Sequence, residues 1–557
     1  MPQDAFTLRY LCEELNGILT GGKINRITQP TADVTALTVY TGSGVKRLIL
    51  NVDPSCPRIG LSDVEPKQEI DSSNFCMLLR KHLLSATIKA VSLVGFDRVV
   101  RIDLIPSAEF FDSPEKSLFV ELMGRYSNVI LTENGKVLGG NRGINFLDNN
   151  VRPLIAGLPY KLPPVGEKFE PKNIAIKEIF SNLSDITAEK LCAKVQGIAT
   201  STAQEIISGY NKVGGEFYDY LNDYIYKTKS RPCVISSDGA IKDVCVYPYK
   251  CIKGEVKEFP ALYLAEEEYF SARESAKKYK QLKDRLSGVV SSGLKKSKKR
   301  LSAVLTRYKD AENAEENRVK GELILANIYK LKGGEKEAEF DNYYDGGKIT
   351  VALDERLSPS KNAENYYKKY NKQKRALVSL VPQKENAENE IKYLESVESE
   401  ITLAETFADL KAVEEELSVS GYVKKPQTVK GKKCEEELSP RVYDVYGFTV
   451  KVGRNNAEND KITFSAKPWD IWLHAKTYHS SHVIVETNGK KPPERVVATA
   501  AEICAYYSKG RDGGKTEIVY CERKFVKKPK KSALGFCTYT DFKSVVVNPV
   551  SHTEMSK

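Results

Sequence analysis

Hydrophobic and polar positions change period several times along the chain, and each change marks a different kind of element. Thr7–Leu19 repeats its apolar residues at helical spacing, whereas Thr35–Tyr40 and Arg47–Asn51 read as strands. A second helix over Phe75–Leu84 precedes the strand-like runs Ile88–Leu93, Val99–Leu104, Ser117–Leu122 and Asn128–Leu131. The pattern predicts a mixed α/β domain over residues 1–170, closed by a proline-rich linker, Val151–Pro164. Residues 171–230 read as helical, and VQGIATSTAQEI (Val195–Ile206) sets a glycine turn between two short helical patterns. That suits a helix-hairpin-helix, whose turn can offer backbone N–H groups to a phosphate, but an ordinary helix corner has the same pattern. A β-like connecting segment fills residues 231–265.

Residues 266–420 carry two long helical arms, near Glu266–Leu331 and Asn362–Ser418. Val290, Leu294, Leu301, Val304 and Tyr308 on the first, with Leu394, Val397, Ile401, Ala404 and Ala408 on the second, follow alternating four and three spacing. This predicts an antiparallel coiled coil. Between the arms, Phe340–Asp354 contains an Asp-Gly turn flanked by strand-like runs, so a small β hairpin is expected at the tip. A lysine-rich linker over Lys424–Lys433 leads to a last α/β domain, residues 438–550. The fold class is therefore multidomain, α/β at both ends and α between.

At 557 residues, with 41% hydrophobic and 29% charged positions, the chain has the composition of a globular protein of several domains. No run approaches the length of a membrane span, and the first residues lack a basic-then-apolar export pattern, so no membrane partner and a cytoplasmic location are expected. Eleven cysteines without a C-x-x-C pair read as reduced thiols. The formal charge of +11 biases the protein toward polyanions. Its clusters, KKSKKR at Lys295–Arg300 and KFVKKPKK at Lys524–Lys531, are candidates for phosphate contacts or plain solvated surface.

Both tryptophans, Trp469 and Trp472, and three of the five histidines, His474, His479 and His482, fall within Gly453–Glu486. Indole and imidazole join a flat apolar face to a polar handle, which suits a recognition surface. Trp469, Ile471 and Leu473 also alternate as one face of a half-buried strand, so core packing competes for these residues. No cysteine or carboxylate stands at zinc-like spacing, and neither a metal nor another cofactor is expected. GRDGGKT (Gly510–Thr516) is one residue short of a phosphate-binding loop, and no self-contained active site is expected.

Several motifs in order carry a family resemblance. GFDR (Gly95–Arg98), ELMGRYSNVIL (Glu121–Leu131), VKGELILANIY (Val319–Tyr329), NAENYYKKYNKQK (Asn362–Lys374), GRNNAEND (Gly453–Asp460), DIWLHA followed by SHV (Asp470–Val483) and AAEICAYYSKGR (Ala500–Arg511) together resemble the NFACT family over essentially the whole chain. The family usually has Gly where this chain has Ser480, and Asp-Gly where it has Asp4-Ala5. The resemblance implies an N-terminal NFACT-N domain, a helix-hairpin-helix, a coiled coil with a middle tip and a C-terminal NFACT-R domain. It further implies a ribosome quality-control factor that binds large (50S) subunits carrying peptidyl-tRNA, recruits tRNA, with alanyl-tRNA the expected species, and promotes mRNA-independent alanine tailing. The peptidyl-transferase centre would form the bonds, and the protein would position the tRNA. Its partners would be the large subunit, tRNA, rRNA and a small RNA-binding quality-control protein.

On that resemblance Asp97 and Arg98 are expected to bind tRNA. Arg98 offers a planar donor fork and Asp97 a hydrogen-bond acceptor. Glu121, Arg125 and Asn128 form a second polar cluster suited to single-stranded bases. Arg454, Asn455, Asn456, His474, His482, Lys524, Lys527, Lys528, Lys530 and Lys531 are expected at RNA or ribosome, although residues like Arg454–Asn456 more often build a turn. Two other readings compete: a fibronectin-binding surface adhesin, and a DNA-glycosylase-like protein using an amine at Pro2. In the second, the acid expected beside Pro2 is Gln3, which cannot shuttle protons.

Overall fold

The computed structural model describes residues 3–64, 73–107, 114–143, 152–182, 186–237, 239–344, 346–424, 439–530 and 532–555. The chain forms two compact units, residues 1–275 and 276–557.

In the first unit helix α1 (Ala5–Leu19) and nine antiparallel strands come first: β1 (Lys23–Thr31), β2 (Val34–Thr41), β3 (Gly44–Asn51), β4 (Arg58–Ser62), β5 (Thr87–Leu93), β6 (Val99–Ile105), β7 (Lys116–Glu121), β8 (Asn128–Glu133) and β9 (Lys136–Gly140). The sheet order is β4-β3-β2-β1-β5-β6-β7-β8-β9, so neighbours in sequence are neighbours in space except where β1 meets β5 around helix α2 (Asn74–Leu83). Asp4 starts α1 by accepting the Thr7 N–H at 2.9 Å, a cap worth about 1 kcal/mol. From there Phe6, Leu8, Leu11, Leu15 and Leu19 bury one stripe of the helix in the core.

Helices α3 (Ala175–Ile179), α4 (Ala188–Lys194), α5 (Thr200–Val213) and α6 (Phe217–Lys227) follow. After them come strands β10 (Cys233–Ser237), β11 (Ala240–Cys245) and β12 (Glu255–Glu258), in the order β11-β10-β12. Ile176, Leu191, Ile206, Leu221 and Val234 join the same buried cluster as α1 and the large sheet. The segments expected as separate over residues 1–170, 171–230 and 231–265 therefore share one core. The proline-rich stretch is no linker where it is described: Leu154 is buried, and the Tyr160 ring stacks on Phe119 with centroids 4.0 Å apart. Its prolines interrupt regular structure without releasing the chain from the sheet.

Ala5, the departure from Asp-Gly, is fully buried, and its N–H donates to the Gly197 carbonyl at 2.8 Å. Gly197 has φ +75°, and a Cβ there would collide with the Ala5 methyl and the Phe96 carbonyl. The alanine fits because its neighbour has no side chain. Gly197→Ala is expected to cost about 2–4 kcal/mol, from positive-φ strain and overpacking together. A chemical-denaturation midpoint equal to wild type would contradict this contact.

Helix α7 (Leu262–Glu312) begins in the first unit and continues into the second, where α8 (Ala314–Ala326), α9 (Pro359–Leu403) and α10 (Phe407–Val419) follow. Leu282, Leu286, Val290 and Leu294 share a buried cluster with Leu394, Val397 and Ile401. The helices are more interrupted than the apolar spacing suggests. The first arm breaks at Asn313, and the second is split by Thr406, which with Asp409 forms a reciprocal capping box at the start of α10. Strands β13 (Glu337–Asp341) and β14 (Lys348–Ala352) pair antiparallel between α8 and α9. Of the expected linker Lys424–Lys433, all but the first residue lies outside the described residues.

The C-terminal sheet comprises β15 (Arg441–Val445), β16 (Phe448–Val452), β17 (Ile471–Ala475), β18 (Val483–Glu486), β19 (Thr516–Glu522) and, after the short pair β20 (Val526–Lys527) and β21 (Thr538–Tyr539), β22 (Lys543–Val547). Its order is β15-β16-β18-β17-β19-β22. Helix α12 (Glu494–Tyr506) covers one face, and α11 (Asn456–Ser465) with the β20–β21 segment covers the other. With both faces covered, β17 is buried on both sides. Trp472 is fully buried on the α11 side and Leu473 on the α12 side, whereas Trp469 precedes the strand and is half exposed. Core packing thus takes one of the two tryptophans, and it is Trp472, not the Trp469 that the alternating pattern marks.

Candidate nucleic-acid interface

In the first unit the Gly95–Arg98 loop is fastened on several sides. Gly95 turns at φ +61°, and Phe96 N–H reaches the Glu170 carboxylate at 3.4 Å. Asp97 is buried: one carboxylate oxygen accepts the Arg98 N–H at 2.7 Å, and the other accepts Gln196 Nε2 at 3.2 Å. Asp97 thus ties its loop to the α4–α5 turn, while Arg98 beside it is half-buried. Arg98, Lys168, Asp4 and Gly197–Thr200 line a depression of about 250 Å³. The turn's phosphate-gripping capacity is partly taken already, because the Ala199 N–H donates to Asp4 Oδ2 at 3.0 Å. Asp4 thereby joins α1 to α5 and offsets some of the positive charge of Arg98 and Lys168.

The second polar cluster divides sharply. Glu121 is buried between both terminal nitrogens of Arg152 and the Tyr160 hydroxyl, the latter at 2.8 Å. Asn128 is also buried, donating to the Arg142 carbonyl at 2.8 Å and accepting the N–H groups of Val129 and Arg142. Neither side chain can turn outward to a base without stranding its partners, and both hold neighbouring segments of the chain in place. Arg125 is exposed and lies 4.7 Å over the exposed Tyr126 ring, on a short helical turn opened by Gly124 at φ +57°.

In the second unit the GRNNAEND motif acts as a fastener. Arg454 lies 3.6 Å from Asp409, and Arg441, which sequence reasoning missed, lies 2.9 Å from the same carboxylate. Asn455 caps α11 through the Glu458 N–H at 2.8 Å and donates to the Ala412 carbonyl at 2.6 Å. Asn456 donates to Ser396 and to Glu416 at 3.0 and 3.1 Å. All three expected RNA-contacting residues are engaged in joining α9, α10 and the C-terminal sheet. The Asn455-x-x-Glu458 spacing is the sequence signal for the cap. Nothing local in the sequence announces that Arg441, Glu400, Asp409 and Glu416 gather there.

His474 and His482 form a small aromatic stack with Trp472. The His474 ring is parallel to the indole within 1° at 5.6 Å, and His482 meets it edge-on at 5.3 Å. His482 Nδ1 lies 2.8 Å from Thr463 Oγ1, and its backbone N–H donates to Asn459 at 2.9 Å. Burial pushes His474 down to about 4 and His482 down to about 3, so both are neutral near pH 7. His482 is a core residue, but His474, His479 and His482 all touch one cavity of about 400 Å³. Ser480, in place of the family glycine, accepts the Ala475 N–H at 3.0 Å and needs no left-handed backbone.

The histidine shifts fix a pH dependence. A depressed folded-state value means that the unfolded chain takes up the proton first. Stability from His482 is therefore full above about pH 6.5 and is lost as pH falls toward about 3, by up to roughly 1.4 kcal/mol per pH unit. Buried Glu400, Glu416 and Glu458 are raised by burial and act with the opposite sign, but they are common to wild type and a His482→Gln variant. The difference in denaturation midpoint between the two proteins should change by that slope between pH 6 and 4. A constant difference would show that His482 titrates normally.

The lysine cluster lies at the surface. Lys524 pairs with Glu522 at 2.6 Å and Lys528 with Asp460, while Lys527 and Lys530 are exposed. Lys531 lies outside the described residues. Among the described residues, no group of three or more His, Cys, Asp or Glu side chains could hold a metal ion, and no helix is long and apolar enough to cross a membrane. Gln3 is buried, with its amide donating to Ile59 and Glu266 and accepting from Ile59, so it serves as a clamp inside the core.

Comparison with known proteins covers the whole chain. Residues 4–436 match the model of the NFACT N-terminal and middle domains, and residues 442–535 match that of the NFACT protein RNA binding domain. A protein of Streptococcus pneumoniae named Rqc2 homolog RqcH is 31% identical over 561 residues, covering 99% of this chain and 98% of its own. A protein of the same name from Bacillus subtilis is 30% identical over 559 residues, with 98% and 97% covered. The C-terminal structure of the fibronectin/fibrinogen-binding protein of Streptococcus suis aligns with 50% of this chain and 99% of its own, at 31% identity and TM-score 0.39. With both regions matched in order and the curated relatives similar from end to end, the chain belongs to the NFACT family.

Proposed function

We propose that this protein is a ribosome quality-control factor that binds RNA and positions tRNA on obstructed large subunits. The observation that carries the reading is the end-to-end similarity to proteins named as Rqc2 homologues, at 31% identity. In this reading the protein engages a 50S subunit carrying peptidyl-tRNA, recruits tRNA, alanyl-tRNA first, and supports untemplated alanine addition. It forms no bond itself. Its contribution is orientation, which can lower a barrier substantially by holding reactants near their reacting geometry.

Arg98 and Lys168 supply the cationic side of the first unit's site, with Asp97 holding the loop in place. The exposed Arg125–Tyr126 pair could stack on an unpaired base. In the second unit the lysines Lys524, Lys527, Lys528 and Lys530, with Lys531 proposed alongside them, would meet phosphate. The long helices α7 and α9 would act as a coiled coil with the β13–β14 hairpin at its tip. The cytoplasm, rRNA and a small RNA-binding partner protein complete the setting.

Cosedimentation tests this directly. Purified protein is expected to travel with large subunits that carry peptidyl-tRNA and to leave vacant 70S ribosomes. Sedimentation only with free protein would refute the reading.

A further inference from the structure

The second unit contains a cavity of about 400 Å³ among α9, the C-terminal sheet and the Pro529–Phe536 loop. Its volume is in the range of small-molecule sites, and its lining is chemically unusual. Four cationic side chains touch it: Lys392, Arg441, Arg454 and Lys530. Among the described residues that line it, Glu400 is the one acidic side chain. The two arginines face Asp409 from the far side, whereas Lys392 and Lys530 are exposed and stand at the rim.

Glu400 is the informative group. Its carboxyl accepts the Asn456 backbone N–H, but Oε2 is buried and has no hydrogen-bond partner among the described residues. Burial, with Glu416 nearby, raises this carboxyl well above the usual range, which favours the protonated form that can donate. An orphaned buried donor costs about 1–3 kcal/mol, and a ligand acceptor would recover it. Aromatic side chains line the same cavity. Neutral His474 is held parallel to Trp472, Tyr393 stands on α9, and Phe536, half exposed, stands on the loop. The loop is set close by Gly535 at φ +74°, where a Cβ would collide with Asn456.

Flat apolar faces, a buried donor within and lysines at the rim match the three parts of one nucleotide: ring, base edge and phosphate. We propose that this cavity receives a single unstacked nucleotide of RNA, its base beside Glu400 and its phosphate against Lys392 and Lys530. The proposal rests on the RNA-binding reading of this unit and names what part of the RNA the unit takes. Selectivity for RNA segments with an unpaired nucleotide follows, because a base held in a duplex cannot leave its stack to enter a pocket.

The test uses the full chain and a fluorescein-labelled single-stranded RNA, read by anisotropy across a salt series. Ala533→Phe, which fills the cavity from the loop, is expected to weaken binding about tenfold, in line with the loss of one stacked base, while leaving the salt slope unchanged. Glu400→Met should weaken it comparably, and Glu400→Gln, which keeps an outward donor, should bind as wild type. Lys524→Gln with Lys527→Gln serves as the surface control and should flatten the salt slope. Because a filled loop can disturb packing, wild type is also titrated with uridine 5′-monophosphate and adenosine 5′-monophosphate. Saturable competition against the RNA is expected. If the cavity variants bind RNA as wild type does while the lysine control weakens, the pocket proposal falls and RNA binding stands. If wild type binds no RNA, both fall. Competition by a peptide and not by either nucleotide would also overturn it.

Discussion

Arg98→Ala is expected to reduce the tRNA that copurifies with the protein by roughly 5- to 150-fold, the range for losing about 1–3 kcal/mol at a guanidinium contact. Its denaturation midpoint should fall less than that of Asp97→Ala, because the backbone of the loop is held by Asp97 and by the Leu122 N–H on the Arg98 carbonyl. Asp97→Ala should behave differently. It removes the acceptor for Gln196 and for the loop N–H, so it should lower stability as well as tRNA recruitment, by about 1–3 kcal/mol. A stable Arg98→Ala protein that still brings down tRNA would remove Arg98 from the site.

Glu121→Ala is expected to destabilise the first unit by about 3–5 kcal/mol, since it leaves the Arg152 guanidinium buried without its carboxylate. The Tyr160 hydroxyl loses its acceptor in the same step. Replacing both charges, as in Glu121→Leu with Arg152→Met, should cost much less than Glu121→Ala alone, which is the signature of a buried pair. Urea denaturation of the three proteins measures it. Wild-type stability in Glu121→Ala, together with lost tRNA, would mean that Glu121 faces a ligand after all.

These two residues also mark what the sequence can and cannot tell. The apolar periods placed α1 and α2, which bury one face, and most strands of the large sheet, among which β7 and β8 carry continuous apolar runs and are buried on both faces. They missed β1, β4 and β9; the burial of β1 alternates poorly, since it contains Lys23, Arg26 and Pro30, with an irregularity between Ile24 and Arg26. They also misjudged Val151–Pro164, since proline content reports backbone regularity and says little about the packing of Leu154 and Tyr160.

For the sites, residue type was a fair guide to chemistry and a poor guide to exposure. Asp97 and Arg98 are adjacent in sequence, yet one is a tether and the other lines a depression. Glu121, Asn128, Asn455 and Asn456 are polar residues of the kind that bind RNA, and all are engaged with other protein groups, Asn128 nearby at Val129 and Arg142 and the others with at least one partner more than 30 residues away. Such partners, Arg152 for Glu121 and Glu416 for Asn456, become visible only when the chain is folded. His474, Glu400 and Tyr393 come together for the same reason, from segments about 80 residues apart at most.

Sequencing the RNA bound to the protein purified from cells tests the central claim most directly. The account predicts tRNA enriched over total RNA, with an alanine-tRNA peak, alongside large-subunit rRNA, and loss of the tRNA fraction in Arg98→Ala with rRNA retained. A profile indistinguishable from total RNA, or tRNA unchanged in Arg98→Ala, would contradict it.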